Sequence, residues 1–251
     1  MIARVRHDAC RVSGRDAASY LHSQASNDIA SLAIGSSRYA FFLDPTGKVV
    51  SLVRVTRRAD DEFLLDLDRG GLEHLLPRLR RFMIRVDVNI EPVELTCECH
   101  RGDESNASHA DGLCVDAWWG ENSFDVLSID DTSGLESSPE LEVERVAAVW
   151  PRLGAEIDPG RTVPAATGVV ERAVSFTKGC YPGQELVERM DSRGAEAPFS
   201  LRRIDDAADY AVGDAIVQDG VEVGEVTSVA GGRALALVRR GVDVGGTTPD
   251  V

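Results

Sequence analysis

Two neighbouring side chains, Cys180 and Lys178, are the residues of this sequence best suited to reaction chemistry. The thiolate of a cysteine is a nucleophile and a soft metal ligand, so its reactivity depends on the pKa of the thiol. A helix is predicted to begin at about Gln184, which places Cys180 beside a helix N-terminus. The positive end of the helix dipole and the ammonium of Lys178 would lower that pKa, whereas Glu185 would raise it. The sequence leaves the balance between these influences open.

The residues around Cys180 are predicted to form a strand from Val174, a turn, and the helix from Gln184. Gly179 and Gly183 bound the turn, because glycine tolerates backbone dihedrals and close approaches that other residues do not. Two explanations of the cysteine stay open. It is either a reactive thiol or a structural thiol in a tight turn.

Lys178 is one of only two lysines among the 27 basic residues of the chain. Arginine carries a permanent charge on a broad planar fork, whereas lysine carries a compact charge with an adjustable pKa. Both chance placement and a requirement for the compact ammonium are compatible with a lysine here.

A second pair of sulfur atoms, those of Cys97 and Cys99, would lie on one face of a strand. Two thiolates on one face could provide soft ligands to a metal ion. The chain has no second pair to complete a zinc site, so we expect buried or edge cysteines and predict no metal site.

Composition narrows the classes of function. The chain of 251 residues is 43% hydrophobic and has a formal charge of -15, which opposes nonspecific binding to nucleic acid. Its five cysteines are odd in number and scattered, a pattern typical of a reducing compartment. No apolar run approaches the roughly 20 residues that cross a bilayer, and the first residues lack the apolar stretch of a signal peptide. We therefore expect a cytoplasmic protein without a membrane partner.

Hydrophobic periodicity predicts an N-terminal part that mixes helices and strands. The predicted elements are a helix capped by Ser13 or Asp16 that runs to about Ser23, hairpin strands at 38–43 and 48–55, a strand at 62–68 and an amphipathic helix at 71–82. The hairpin follows from Asp44-Pro45-Thr46-Gly47, since proline and glycine suit a tight turn.

The remainder of the chain is predicted to contain a middle part and a small terminal barrel. The predicted elements are a strand at 86–90, exposed loops at 101–112 and 130–140, a helix at 142–153 limited by Pro151, and short β segments at 215–217, 221–229 and 233–239. Glycines punctuate the last three segments, a pattern typical of small β-barrels.

The run 178–185, Lys-Gly-Cys-Tyr-Pro-Gly-Gln-Glu, resembles the signature of the YgfZ family and matches it at every fixed position. Residues 163–168 are similar to the family's Pro-x-Ala-Thr-Asn approach to this signature, with Gly168 where asparagine is common. Residues 20–29 resemble a stretch shared with glycine-cleavage T proteins, and residues 224–228 resemble the family's barrel motif. The resemblance therefore spans nearly the whole chain.

The resemblance implies an α+β fold of three modules around a central folate cavity. These would be a discontinuous N-terminal α+β domain over 1–85 and 160–195, a ferredoxin-like middle domain over 86–159, and a C-terminal β-barrel domain over 196–251. The implied cofactor is tetrahydrofolate or a derivative.

The resemblance also implies two groups of site residues. The reactive group is Cys180, Lys178, Gln184 and Glu185, of which the last two would order the turn or bind a partner. The folate-binding group is Asn27, Asp28, Tyr39, Asp125, Tyr181 and Arg189.

T proteins, which also bind tetrahydrofolate, differ from this sequence at one pair of positions. Their hairpin leads to an acidic pair, and counting from Tyr39 places Ser51 and Leu52 at those positions here. Neither can act as the carboxylate, so aminomethyl transfer by that mechanism is not expected. Asp125 is similar to the acid that contacts the pterin in T proteins; the alternative is a solvated side chain at an exposed turn.

The family resemblance implies a folate-dependent accessory factor that assembles or repairs the iron-sulfur clusters of client enzymes, including tRNA-modifying enzymes. Its partners would be iron-sulfur client or assembly proteins. Two alternatives stay open. One is a folate-dependent one-carbon transferase with a different acid or base, and the other is a noncatalytic folate-binding module.

Overall fold

The computed structural model describes residues 1–102, 112–120, 122–192 and 197–244. The strands are β1 (Ile2–Ser13), β2 (Ser37–Leu43), β3 (Val49–Ala59), β4 (Glu62–Leu67), β5 (Asn89–His100), β6 (Leu113–Asp116), β7 (Phe124–Ile129), β8 (Phe199–Ile204), β9 (Ala215–Gln218), β10 (Val221–Ala230) and β11 (Arg233–Arg239). The helices are α1 (Ala17–Gln24), α2 (Leu72–Arg81), α3 (Pro139–Ala147), α4 (Val170–Ala173) and α5 (Gln184–Ser192), with a short 3-10 helix at Pro164–Ala166. The predicted hairpin, the helices near residues 16–23 and 71–82, and the start of α5 are confirmed.

The first seven strands form one sheet in the order β2-β3-β4-β1-β5-β7-β6. The central pair is β1 and β5, which are antiparallel along their whole length, from Ile2 opposite His100 to Ser13 opposite Asn89. The predicted strand at 86–90 therefore begins later, at Asn89, and runs much further. Because β5 pairs with β1, the sheet continues across the predicted boundary at residue 86, and the division into modules stays a prediction.

Helices α1, α2 and α4 cover one face of the hairpin strands and enclose the main core. Leu21 of α1, Phe41 of β2 and Leu75 of α2 have no solvent exposure. Burial of such side chains contributes about 1.5–3 kcal/mol each. The hydroxyl of Tyr20 donates a hydrogen bond to the Leu79 carbonyl at 2.7 Å, which ties α1 to α2.

Helix α3 begins earlier than the predicted helix at 142–153. The hydroxyl of Ser138 accepts a hydrogen bond from the backbone N–H of Leu141 at 3.2 Å, and Pro139 occupies the first turn. A serine cap followed by proline is a common helix start, so these two residues fix the beginning of α3.

Helix α3 also ends earlier than predicted, because the chain reverses at Val149. The φ of Val149 is 55°, and the N–H of Trp150 reaches back to the carbonyl of Arg145 at 3.1 Å. A β-branched residue is strained in this left-handed region. Its side chain is buried with Leu201 and Leu235 of the C-terminal strands, so packing holds it there.

The C-terminal strands form a separate sheet in the order β8-β11-β10-β9. Three of the strands were predicted, whereas β8 was missed. A buried polar cluster attaches this sheet to the rest of the protein: the guanidinium of Arg145 donates to the hydroxyl of Ser228 at 2.6 Å, and that hydroxyl donates to the carboxylate of Glu156 at 2.7 Å.

Two further predictions differ from the structure, and one of them falls partly outside the described residues. The predicted strand from Val174 is absent, because Val174 ends α4 and the next residue donates its N–H to the carbonyl of Ser26 outside any ladder. Most of the predicted loop at 101–112 lies outside the described residues, and Arg101 at its start is buried, not exposed. Within the described ranges, no helix combines the length and the apolar composition needed to cross a bilayer.

Candidate functional site

Cys180 lies in the irregular segment between α4 and α5, which we call the signature segment (residues 174–183). It is exposed, whereas Cys10, Cys97 and Cys99 are buried and Cys114 is intermediate. Burial raises the pKa of Cys10 to about 12 and raises the pKa of Cys97 well above its ordinary value. Cys180 is thus the thiol best placed to meet a reagent or a partner from solution.

Lys178 fixes the signature segment to the end of α1. Its ammonium donates hydrogen bonds to the carbonyls of His22 and Ala25 at 2.5 and 2.6 Å and lies 4.9 Å from the ring centre of Tyr181. Carbonyls at a helix C-terminus attract cations. Burial lowers the pKa of Lys178 to about 8, although the negative charges of Asp28 and the Cys180 thiolate would raise it.

The turn after Cys180 is shaped by glycine and glutamine. Gly183 has a φ of 82°, and a Cβ there would lie 2.5 Å from the carbonyl oxygen of Asp44, so the turn packs closely against the β2–β3 hairpin. The side-chain oxygen of Gln184 accepts a hydrogen bond from the N–H of Tyr181 at 3.3 Å. This contact agrees with the expectation that Gln184 orders the turn.

The remaining predicted residues of the signature and of α5 differ in burial. Tyr181 is buried, and its hydroxyl has no hydrogen-bond partner among the described residues. Glu185 and Arg189 form an exposed ion pair with a 2.5 Å contact one helical turn apart. An exposed pair of this kind contributes little to stability, so both side chains are available to a partner or ligand.

Asn27 and Asp28 occupy the segment after α1. The amide of Asn27 donates to the carbonyl of Tyr39 at 2.8 Å and to that of Arg172 at 2.9 Å, joining β2 to α4. Asp28 lies 3.2 Å from Nδ1 of His22, and hydrogen bonds from Ser31 lower the pKa of its carboxyl. Asn27 therefore has a structural role visible in the contacts, and folate binding by either residue stays a prediction.

Tyr39 and Asp125 meet at a buried charge cluster centred on Arg54. The guanidinium of Arg54 donates to Asp125 at 2.6 Å and to both carboxylate oxygens of Asp66 at 3.0 and 2.8 Å. Asp125 also accepts from Arg101 at 2.6 Å. Burial disfavours its charge, but the two guanidiniums outweigh burial and hold the pKa of Asp125 below its ordinary value.

The alternative of a solvated Asp125 is wrong, because the side chain has no solvent exposure. Tyr39 donates its hydroxyl to the carbonyl of Asp116 at 3.3 Å, and Arg54 donates to the same carbonyl at 2.9 Å. Tyr39 and Asp125, which were both predicted to bind folate, thus lie in one cluster. The carboxylate of Asp125 already accepts hydrogen bonds from Arg54 and Arg101.

Cys97 and Cys99 share a face of β5, as predicted, with their sulfur atoms 3.5 Å apart and both side chains buried. The carboxylate of Asp125 lies within 4.8 Å of both sulfur atoms. Its two oxygens accept hydrogen bonds from Arg54 and Arg101, so this carboxylate serves the charge cluster.

A cavity of about 550 Å³, which we call the central cavity, lies between β1, the end of β4 and the residues around α3. Its lining includes His7, Asp68, Trp119, Glu142 and Arg152. Its size falls within the range of small-molecule and cofactor sites.

An aromatic cluster stands beside the central cavity. Tyr39 packs against Trp118 and Trp150, with ring centres 5.8 and 5.4 Å away, and Trp119 lies 6.0 Å from Trp150. The indole N–H groups of all three tryptophans are buried without a hydrogen-bond partner in the described part of the chain. Buried donors are normally paired, so this cluster has unused capacity to donate to a ligand or water.

The charge cluster and the three tryptophans are functional features that were not predicted from the sequence. Arg54 stands inside the apolar run Leu52-Val53-Arg54-Val55, and a charge in a buried strand signals a partner nearby. Its partners Asp66 and Asp125 lie on other strands, and local sequence does not indicate that these strands come together.

Two family models match the chain. One, described as the GCVT N-terminal domain, matches residues 6–99, and the other, described as the CAF17 C-terminal beta-barrel domain, matches residues 197–247. The structure of the glycine cleavage system aminomethyltransferase T from Bartonella henselae superposes with a TM-score of 0.76, covering 95% of this chain and 78% of that one at 15% identity. The α+β, aminomethyltransferase-like fold with a C-terminal β-barrel domain is thereby confirmed.

Similar sequences include an uncharacterized protein of Haemophilus influenzae, 26% identical over 198 residues, covering 77% of this chain and 69% of that protein. The tRNA-modifying protein YgfZ of Vibrio vulnificus is 25% identical over 208 residues, covering 73% of this chain and 63% of its own length. The mitochondrial iron-sulfur cluster assembly factor IBA57 of Mus musculus is 27% identical over 216 residues, covering 73% of this chain and 60% of its own length. The resemblance predicted from the signature is confirmed by these matches.

Proposed function

We propose that this chain, which is similar to the YgfZ and IBA57 proteins, is a cytoplasmic, folate-binding accessory factor for iron-sulfur cluster assembly or repair. Its clients would include tRNA-modifying enzymes. The observation that carries the proposal is the exposure of Cys180, alone among the five cysteines, beside an ammonium anchored on α1.

The central cavity is the proposed folate site. Its lining contains none of the residues predicted from the sequence to bind folate, namely Asn27, Asp28, Tyr39, Asp125, Tyr181 and Arg189. A pterin is a flat heteroaromatic ring with hydrogen-bond acceptors, and Trp119 lines the cavity. Its indole N–H is buried without a partner among the described residues, so a small rotation of the ring would present this donor to a pterin. Trp118 and Trp150, which pack near Trp119, have buried indole N–H groups that also lack a partner in the described part of the chain. Aromatic walls with a few polar groups are typical of sites for such ligands.

Charged groups at the cavity suit the other end of a folate. Arg69 and Arg152 line the cavity and are 45% and 43% exposed, so they can reach the glutamate carboxylates from the mouth. Both guanidiniums now pair with Glu136 and Glu142, respectively, and a ligand carboxylate would compete with those exposed pairs at little cost.

Calorimetric titration with tetrahydrofolate and its formyl and methyl derivatives tests the folate site. We expect binding by the native protein and about tenfold weaker binding by Trp119→Phe, which keeps the ring and removes the donor. Tyr210→Phe, on the exposed surface of the C-terminal part, is the matched control. If the titration shows no heat of binding at millimolar ligand, the proposal that the protein binds folate is wrong.

The role of Cys180 is tested in cells that lack this protein. Complementation with Cys180→Ser is expected to fail, and complementation with Cys114→Ser to succeed, when the products of iron-sulfur-dependent tRNA-modifying enzymes are quantified by mass spectrometry. Full restoration by Cys180→Ser would overturn the proposed role of this thiol.

One observation favours a folate-dependent one-carbon transferase as the second candidate. Asp68 lines the central cavity and also a small gap beside Ser51 and Leu52. Burial raises the pKa of its carboxyl, which accepts a hydrogen bond from the N–H of Leu153 at 2.9 Å. A carboxyl with a raised pKa is suited to general acid-base chemistry.

Turnover of a one-carbon folate that is lost in Asp68→Asn and kept in Asp209→Asn, an exposed aspartate of the C-terminal part, would support the transferase. Stoichiometric folate binding with neither turnover nor dependence on Cys180 would instead indicate a noncatalytic folate-binding module.

A further inference from the structure

A second cavity, of about 420 Å³, lies between α5 and the C-terminal sheet, and we call it the barrel-side cavity. Its walls come from the residues around α4, from the signature segment, from α5 and from the ends of β8 and β11. It shares no lining residue with the central cavity. The two cavities are therefore separate sites within the described residues.

Most of the wall of the barrel-side cavity is apolar. Val170, Val187 and Met190 form its floor and side, and Phe176, which is 38% exposed, stands at its edge. Methionine and aromatic side chains adapt well to flat or branched apolar groups. The cavity thus suits a ligand with an apolar body.

The lining also carries a guanidinium, that of Arg202, for which the described residues provide no counter-ion. Ser200 and Arg202 are two residues apart on β8 and so point to the same side, into this cavity. Arg202 is half-buried, and its side chain has no hydrogen bond or ion pair with any described residue. The next arginine, Arg203, donates to the carbonyl of Ala147 at 2.5 Å, which shows that this strand can pair its arginines.

The charged residues among the described lining of the cavity indicate the net charge that a ligand should carry. Arg202 and Arg240 contribute two positive charges to the lining and Glu171 contributes one negative charge. A guanidinium beside apolar walls is best satisfied by a carboxylate or a similar planar anion. Glu171 disfavours ligands with several negative charges, so one anionic group fits best.

We propose that the barrel-side cavity is a second ligand site, which binds a small organic monoanion with an aromatic or branched apolar body. Phe176 belongs to the signature segment, four residues before Cys180, so a bound ligand touches the same segment as the reactive thiol. The assignment is independent of folate binding in the central cavity.

Fluorescence titration with 8-anilinonaphthalene-1-sulfonate, an aromatic monoanion, tests this site. We expect one saturable site, displacement by 4-phenylbutyrate, and at least about tenfold weaker dye binding in Arg202→Gln and in Ala165→Trp, which fills the cavity. Arg161→Gln removes an exposed arginine outside the cavity and is the charge-matched control. Melting temperatures show whether each variant folds. If Ala165→Trp does not fold, the dye affinity of Arg202→Gln decides the result.

Unchanged dye affinity in Arg202→Gln would overturn the proposal. Tetrahydrofolate distinguishes the two cavities. If it displaces the dye competitively and itself binds more weakly to Arg202→Gln, the barrel-side cavity is the folate site and the proposal of a separate site is wrong. Dye binding that persists under saturating tetrahydrofolate supports two sites.

Discussion

Cys180 and Lys178 share a segment but differ in their surroundings. The sulfur faces solvent, whereas the ammonium is held by two carbonyl oxygens at the end of α1. Lys178 thereby fixes the backbone on which Cys180 is presented, and substitutions at the two positions should have different consequences for stability.

We predict that Cys180 is alkylated at least about tenfold faster than any other thiol of the folded protein, because exposure controls access to the sulfur. Cys180→Ser should shift the unfolding free energy by no more than about 0.5 kcal/mol, as expected for an exposed position. Mass spectrometry after timed iodoacetamide labelling and thermal unfolding measure the two effects. Slow labelling combined with a large loss of stability would mark Cys180 as a structural thiol.

Lys178→Arg is predicted to destabilise the protein by about 1–2 kcal/mol, because a planar guanidinium does not fit between the carbonyls of His22 and Ala25. The pKa of Lys178 is lowered from 10.5 to about 8, so between these values the native state binds fewer protons than the unfolded state. Native stability then rises with pH across that interval in the wild type, whereas arginine stays charged.

Urea unfolding from pH 7 to pH 10.5 measures the predicted difference between wild type and Lys178→Arg. The difference should widen above pH 8. A difference that stays constant over the whole range would contradict the buried ammonium.

Strand β1 carries a second titrating group, His7, which interacts with Asp66 at 3.0 Å. Burial disfavours the charged ring, but the Asp66 carboxylate, which accepts a hydrogen bond from the ring, outweighs burial and raises the pKa of His7 from 6.5 to about 9. The raised pKa means that the charged ring stabilises the native state. This contribution is fully present below about pH 6.5 and is lost as pH rises through about 9.

His7→Gln is therefore predicted to be less stable than wild type at pH 6 and closer to it at pH 9.5. His74→Gln, on the partly exposed helix α2, should follow the wild-type pH dependence. Unfolding midpoints in urea at the two pH values provide the measurement, and parallel curves for wild type and His7→Gln would refute the charged pair.

Local patterns predicted those elements whose own residues decide them. The β2–β3 hairpin follows from its Pro-Gly turn, and α5 begins at Gln184 as expected. The end of helix α3 could not be predicted from periodicity, because Val149 ends the helix by packing against Leu201 and Leu235 on strands much later in the chain. The segment from Val174 has the composition of a strand, but the N–H of Ser175 donates to the carbonyl of Ser26 in the segment after α1. Strand propensity does not predict such a tertiary contact.

The candidate site likewise contains some residues that local sequence predicts and others that only the fold brings together. The signature around Cys180 was readable because its residues are contiguous in sequence. The cluster around Arg54 joins four strands, β1, β3, β4 and β7, so no short motif contains it. The three unpaired indoles likewise become visible only when the fold brings Trp150 beside Trp118 and Trp119.

At the level of the whole molecule, the fold resembles that of a T protein, whereas the sequence predicts that the acidic pair of T proteins is missing here. Ser51 and Leu52 are buried at the predicted positions of that pair, and neither supplies a carboxylate. We predict that the protein does not replace a T protein, since loss of a positioned acid-base group commonly costs about 10²–10⁴ in rate. Methylenetetrahydrofolate formation in a reconstituted glycine-cleavage assay measures this, with a true T protein as the reference. Comparable rates would show that another carboxyl has taken over.

The uninterrupted pairing of β1 with β5 sets limits on recombination between relatives. A chimera joined at residue 86 would match one parent's β1 with the other parent's β5, and every mismatch along their shared ladder would fall at the centre of the seven-stranded sheet. A junction just before Phe199 cuts no ladder, because the last four strands pair only among themselves in the described part of the chain. The terminal barrel can therefore be exchanged between relatives that both carry Arg145, Glu156 and Ser228, whereas a junction between β1 and β5 would disrupt the ladder that joins them.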